Sequence, residues 1–198
     1  MSGRHLFFFN RALIVKAIEE LQFEELLQLQ KIDEKMWKLE AGNNIEYRFK
    51  GKIGAWNNIQ VQVDSLQKFQ DGLEQAVYTA GRFFYEVQEV CGIDDATLGQ
   101  FLEEMHQTLY CDDLRFNRLK AYTASELSKL SFHEIDQLLP GHPKLLLNKG
   151  RLGWGVGELC AYTPESGQSF QLIWIAIKKE KLSAGIDPNI SYENLLLS

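Results

Sequence analysis

Between Ile45 and Val63 the apolar residues change rhythm, and that change limits the folds open to the chain. Ile45, Tyr47 and Phe49 alternate with polar residues, and Ile59, Val61 and Val63 do so again. A period of two puts alternate side chains on one face of a strand. The stretch from Gly54 to Asn58 between the two runs supplies turn residues, so residues 45–63 predict a β-hairpin. On either side the spacing is helical. Leu13, Ile14, Ala17, Ile18, Leu21, Leu26 and Leu27 recur largely at three and four between Asn10 and Glu40, with Asn10 as N-cap and Phe7–Phe9 stapling the start. Leu66, Phe69, Leu73, Val77, Phe84 and Val87 predict a second long helix from Asp64 to Gly92.

A helix capped by Asp94 or Asp95 is expected next, through Phe101, Leu102, Met105 and Leu109. "DDLRFNRLKAY" reads as a weaker helix or a connection. Thr123 with Glu126 and Ser131 with Glu134 start two short helices, the first with a capping box, ended by Pro140 and Gly141. The expected fold class is α+β, with a helical N-terminal lobe carrying one β-hairpin and the start of a mixed α/β lobe after it.

Composition removes several classes of function. Among 198 residues, 45% are apolar and 12% aromatic, enough for a core and unlike a disordered chain. The net charge of −6 argues against a general nucleic-acid binder. Cys91, Cys111 and Cys160 form no CxxC pair, which fits a reducing compartment and a cytoplasmic protein. His5, His106, His133 and His142 show no metal-ligand spacing, and the adjacent acids Asp94–Asp95 and Asp112–Asp113 read as solvated caps. The apolar run Leu6–Phe9 is too short for a secretory core, and no window reaches membrane-spanning length.

Against this acidic background, "GHPKLLLNKGRLGWGVGE" (141–158) gathers Gly150, Gly153, Gly155 and Gly157 with Lys144, Lys149 and Arg151. In an extended segment Lys149 and Arg151 would project to one side. There an arginine fork and a lysine point charge could hold an oxyanion that nearby backbone N–H groups approach. The same composition also describes a solvated turn, and no Walker or dinucleotide motif decides between them. Thr163–Gln168 is turn chemistry in which Glu165 caps. Phe170–Ile177 is a continuous apolar run, expected to be a buried strand. The apolar end at Leu195–Leu197 points to a chain that stops inside a larger architecture.

The pattern at Gly141, His142, Pro143, Lys149, Arg151 and Gly153, with Trp154 after it, resembles the signature of the siderophore synthetases that act independently of non-ribosomal peptide synthetases. These are the synthetases of the aerobactin type, the IucA/IucC family. Tyr162, Pro164, Glu165, Trp174, Lys178 and Lys179 continue the similarity, and "NRALIVKAIEELQFEELL" looks like the family's first helix. The strongest similarity covers about residues 131–180. In place of the family's second His-Pro stand Leu145 and Leu146, and the family's chains are several hundred residues long.

The resemblance implies ATP-dependent chemistry. A citrate-type carboxylate attacks the α-phosphate of ATP, pyrophosphate leaves, and an amine or alcohol captures the acyl-adenylate. ATP and Mg2+ are the implied cofactors. Lys149 and Arg151 would hold phosphate oxygens, Gly153 would lie in the same cofactor-binding loop, and His142 would donate a hydrogen bond to phosphate or carboxylate. Residues 1–139 would form the N-terminal lobe, with its hairpin near 45–63. Residues 140–198 would begin the nucleotide-binding lobe. The chain is then expected to be an N-terminal portion, inactive alone, completed by a C-terminal lobe or another chain, with a homodimer as a further option. Neither nucleic acid nor membrane is an expected partner. The rival reading is a non-catalytic helical interaction module or a degenerate family member.

Overall fold

The computed structural model describes residues 3–77 and 79–178. The chain opens with α1 (Gly3–Phe23). Six strands follow: β1 (Leu29–Lys31), β2 (Met36–Glu40), β3 (Ile45–Ile53), β4 (Ile59–Val61), β5 (Gln67–Gln70) and β6 (Leu73–Gln75). The helices α2 (Ala80–Val87), α3 (Asp95–Leu119), α4 (Ala124–Leu127), α5 (Phe132–Asp136) and α6 (Val156–Tyr162) complete the order. The fold is α+β.

The expected hairpin is present, with Ile53 opposite Ile59 and Gly51 opposite Val61. It is one part of a larger antiparallel sheet in the order β1-β2-β3-β5-β6, to which β4 is joined through β3. Two stretches that read as helix are strands. Helix α1 stops at Phe23, and Glu25 turns the chain at φ 62. Leu29–Lys31 then pairs with Trp37–Leu39. The turn between them is held by Asp33, whose Oδ1 accepts the N–H groups of Lys35 and Met36, both at 2.8 Å. Likewise β5 and β6 replace the first half of the expected second helix, with Asp71–Gly72 as their turn. In both places apolar residues satisfied a helical spacing by coincidence, while turn chemistry at Asp33 and Asp71–Gly72 set the outcome.

One face of the sheet carries Leu39, Ile45, Tyr47 and Phe49, all buried. Helix α1 contributes Phe9, Leu13, Ile14, Ala17, Ile18 and Leu21 to the same core, and α2 contributes Phe83, Phe84 and Val87. Phe83 meets Tyr47 edge-on at 5.2 Å, and Phe9 meets Phe116 of α3 at 5.5 Å. Asn10 is not the cap of its own helix. It lies buried inside α1, and its Oδ1 accepts the N–H of Ala80 at 2.8 Å, satisfying the first turn of α2.

Helix α3 is longer than expected. Asp94 caps it by accepting from Thr97 at 2.8 Å, and it runs unbroken through "DDLRFNRL". Capping boxes close both α4, at Thr123 and Glu126, and α5, at Ser131 and Glu134. The run Phe170–Ile177 has no regular secondary structure, and its large apolar residues are exposed. A strand needs a sheet edge beside it, and among the described residues no strand pairs with this run. The tail with Leu195–Leu197, and Lys179, lie outside the described residues.

Candidate functional site

The loop from Pro140 to Glu165 lies along α3, and its position follows from side chains spaced along that helix. Gln107 donates to the carbonyl of Trp154 at 3.0 Å and also accepts from the N–H of Arg151. Asp112 accepts from Lys149 at 2.8 Å. Arg115 donates to the carbonyl of Leu138 at 3.2 Å. Arg118 reaches the carbonyls of Pro164 and Glu165 at 3.0 and 3.3 Å. From α1, Lys16 donates to the carbonyls of Leu145 at 2.7 Å and His142 at 3.4 Å. Burial holds the Lys16 ammonium below its ordinary pKa, against the pull of Glu20.

Two glycines permit the close approach. A Cβ on Gly150 would come within 2.6 Å of the Glu104 Cβ, and one on Gly167 within 2.3 Å of the Arg118 guanidinium carbon.

Lys149 and Arg151 do not face one external target. Residues 146–149 form turns, so the period of two that would align them does not apply. Lys149 points inward at 2% exposure, bonded to Asp112 and, at 2.6 Å, to the carbonyl of Pro140. Arg151 donates to Glu165 at 3.2 Å and to the carbonyl of Lys149 at 3.0 Å. Asp112 and Glu165, read from sequence as a solvated cap and a turn cap, are the partners of these cations. Their sequence separation of 37 and 14 residues hid the pairing.

His142 is exposed, and its Nδ1 accepts the N–H of Lys144 at 3.1 Å, which assigns the proton of the neutral ring to Nε2. Gly153 sits at φ +80, and its N–H donates to Glu103 at 3.3 Å. Leu145, at the first position of the missing His-Pro, is exposed, while Leu146 packs against the core. Tyr110 shares a hydrogen with Cys160 at 2.9 Å, and that bond together with burial pushes the phenol up to about 12.

As they stand, Lys149 and Arg151 are a poor fit for a triphosphate, since both charges are offset by internal carboxylates. Among the described residues no group of three or more His, Cys, Asp or Glu side chains could hold a metal ion. No helix among them is long and apolar enough to cross a membrane.

A six-stranded antiparallel sheet with α1 and α2 packed on its core, and a long helix mooring a Gly-His-Pro loop, is similar in fold to a solved member of the siderophore synthetases. The chain resembles the N-terminal portion of these enzymes in the IucA/IucC family, and residues 131–198 match that family's model. It is 27% identical over 187 residues to the aerobactin synthase of Escherichia coli, covering 94% of this chain and 31% of that protein. It is 31% identical over 144 residues to the citryl-spermidine/3,4-dihydroxybenzoyl-citryl-spermidine:spermidine ligase of Bacillus anthracis, covering 70% of this chain and 22% of that one. The structure of aerobactin synthetase IucC from a hypervirulent pathotype of Klebsiella pneumoniae superposes with a TM-score of 0.81 and 27% identity, over 100% of this chain and 35% of that one. The chain thus spans about a third of the length of these proteins or less.

Proposed function

We propose that this chain is the N-terminal portion of a siderophore synthetase that uses ATP to condense a citrate-type carboxylate with an amine or alcohol, and that the chain is inactive alone. The observation that carries this reading is the likeness to aerobactin synthetase IucC along the whole chain, in fold and in 27% of residues. The names of the relatives supply the substrate classes: aerobactin synthesis in one, citryl and spermidine groups in the other. On this reading residues 1–139 form the N-terminal lobe and residues 140–198 open the nucleotide-binding lobe. ATP, Mg2+ and a cytoplasmic location belong to the proposal, as does completion by a C-terminal lobe, another chain or a second copy.

Lys149 and Arg151 are paired with Asp112 and Glu165 and are not free to hold phosphate. Their role in this geometry is to fix the loop between α3 and the turn at Glu165. On this reading the exposed His142, whose Nδ1 accepts from Lys144, would donate from Nε2 to phosphate or carboxylate.

One observation favours the rival, a non-catalytic helical interaction module or degenerate family member. Both expected phosphate-gripping cations are already paired, beside the Leu145–Leu146 replacement. Thermal unfolding with and without ATP and Mg2+ separates the two readings. A ligand at 100 times its Kd adds about 2.7 kcal/mol. A shift that His142→Ala reduces supports the synthetase reading, and pyrophosphate release on adding a family C-terminal portion with citrate and an amine completes it. No shift and no release in either setting leaves the interaction module standing.

A further inference from the structure

The turn that presents His142 is held by a side chain that is not among the signature residues. The carbonyl oxygens of Pro140 and His142 converge on one nitrogen, for Asn148 Nδ2 donates to both, at 3.1 and 3.0 Å. A primary amide has two N–H groups, one for each oxygen. Lys149 also reaches the Pro140 oxygen, at 2.6 Å. The second bond to the His142 oxygen is long, 3.4 Å from Lys16, whose short bond of 2.7 Å goes to Leu145. Among the described residues Asn148 is therefore the main hold on the His142 carbonyl. Its orientation is set by its neighbours: Oδ1 accepts from Lys149 at 3.4 Å, and a flipped amide would set oxygen against two oxygens. The backbone is shaped for this side chain. Gly141 turns at φ +84, and a Cβ there would come within 2.8 Å of Asn148 Nδ2. Pro143 steers His142 to extended backbone and brings no N–H to the turn. With the carbonyl held, the ring's Nδ1 meets the N–H of Lys144 at 3.1 Å, and Nε2 is left as the ring's donor.

We propose that Asn148 is the positioning residue of His142. It clamps the carbonyls on either side of Gly141, which fixes the imidazole with Nδ1 on Lys144 and keeps Nε2–H for the anion. This role rests on the reading of His142 as the loop's donor to phosphate or carboxylate. Asn148 itself touches no ligand and acts through the ring.

Two variants remove the donors and keep the shape. Asn148→Leu is neutral, so it adds no charge beside an anion site, and Asn148→Asp keeps an oxygen for Lys149. NMR of the 198-residue chain in mildly alkaline buffer reads the ring nitrogens of His142 and the amide exchange of Lys144. The parent should show the Nε2–H tautomer and a protected Lys144 amide. In both variants the two ring-nitrogen shifts should move toward each other as the Nδ1–H tautomer is populated, and Lys144 should exchange several-fold faster, while the amides of α1 and α3 stay in place. Lys16→Met should disturb the ring less than either. Calorimetric titration with ATP and Mg2+ is the second arm. His142→Ala should weaken binding about tenfold, as for loss of one hydrogen bond to a charged group. Asn148→Leu should weaken it several-fold, and the two changes together no more than His142→Ala alone. Additive losses overturn the proposal, as does a His142 ring and Lys144 amide that behave in both Asn148 variants as in the parent. If the chain binds no ATP, the reading of His142 as a phosphate donor fails, and the ring nitrogens still decide whether Asn148 positions it.

Discussion

Lys149 shows how far a single charged residue can stand from its expected role. Its ammonium is enclosed by Asp112, Pro140 and Asn148. Lys149→Met should therefore lower stability by about 2 kcal/mol, because a partly buried carboxylate loses its closest partner. Adding Asp112→Asn should recover most of that loss. Denaturant melts of the two single variants and the double variant measure the coupling; full additivity would show that the pair is not the anchor. Glu86 of α2 makes the same point more sharply. Its carboxylate is buried and accepts from Tyr47, Lys68 and Arg82, each at 2.6 Å. Burial pushes the carboxyl pKa up, but the bonds from Lys68, Tyr47 and Arg82 outweigh it, and the net shift is downward. A depressed folded pKa gives stability that is present above the unfolded value of about 4.3 and is lost as pH falls through the folded value. Glu86→Gln should cost about 3 kcal/mol near neutral pH by leaving Lys68 buried and unpaired. The gap between variant and parent should close as acid protonates Glu86, and a gap independent of pH would contradict the assignment.

At the scale of elements, the turn between β3 and β4 departs from local preference. Trp56 (φ 55) and Asn57 (φ 60) both adopt left-handed backbone, and Asn58 N–H closes the turn on Ala55 at 3.2 Å. Tight hairpins accept that geometry, but they favour Asn-Gly in it, and a bulky aromatic there is strained. Trp56 is also 90% exposed, so little packing is lost on replacing it. The double change Trp56→Asn with Asn57→Gly should raise stability by about 1 kcal/mol in thermal melts. The existence of this hairpin was legible because Ile45, Tyr47, Phe49, Ile59 and Val61 alternate without interruption. Helix α3 was legible at its start, where Asp94 caps, but its length was not, since Asp112, Asp113 and Asn117 look like chain-breaking residues until their partners are known. The pairs β1–β2 and β5–β6 were hidden by short strands of three to five residues, too brief for a period to register. Of the candidate site, the loop could be located in the sequence, while the direction of its cations could not. That direction depends on carboxylates brought from α3 and Glu165 by the tertiary fold.

For the molecule as a whole, the conspicuous surface is Phe170–Ile177. Ile173 and Trp174 are 86% and 88% exposed, and Leu172 and Ile175 add to an apolar strip. Strips of this kind mark sites of association. The isolated chain should bind a hydrophobic dye and self-associate at high concentration, and Ile173→Lys with Ile175→Lys should suppress both in light scattering. Unchanged scattering would place the association elsewhere. The loop above α3 carries a different consequence. Lys16, Gln107, Arg115 and Arg118 grip carbonyl oxygens at positions 138, 142, 145, 154, 164 and 165, and carbonyls are common to every amino acid. Drift in the side chains of most loop positions therefore leaves the moorings intact, and new chemistry can be tried there at little risk to the fold. Inserting one residue in α3 before Gln107 would do the opposite. It would turn every later grip by about 100° and cast the loop off while its own sequence stayed the same.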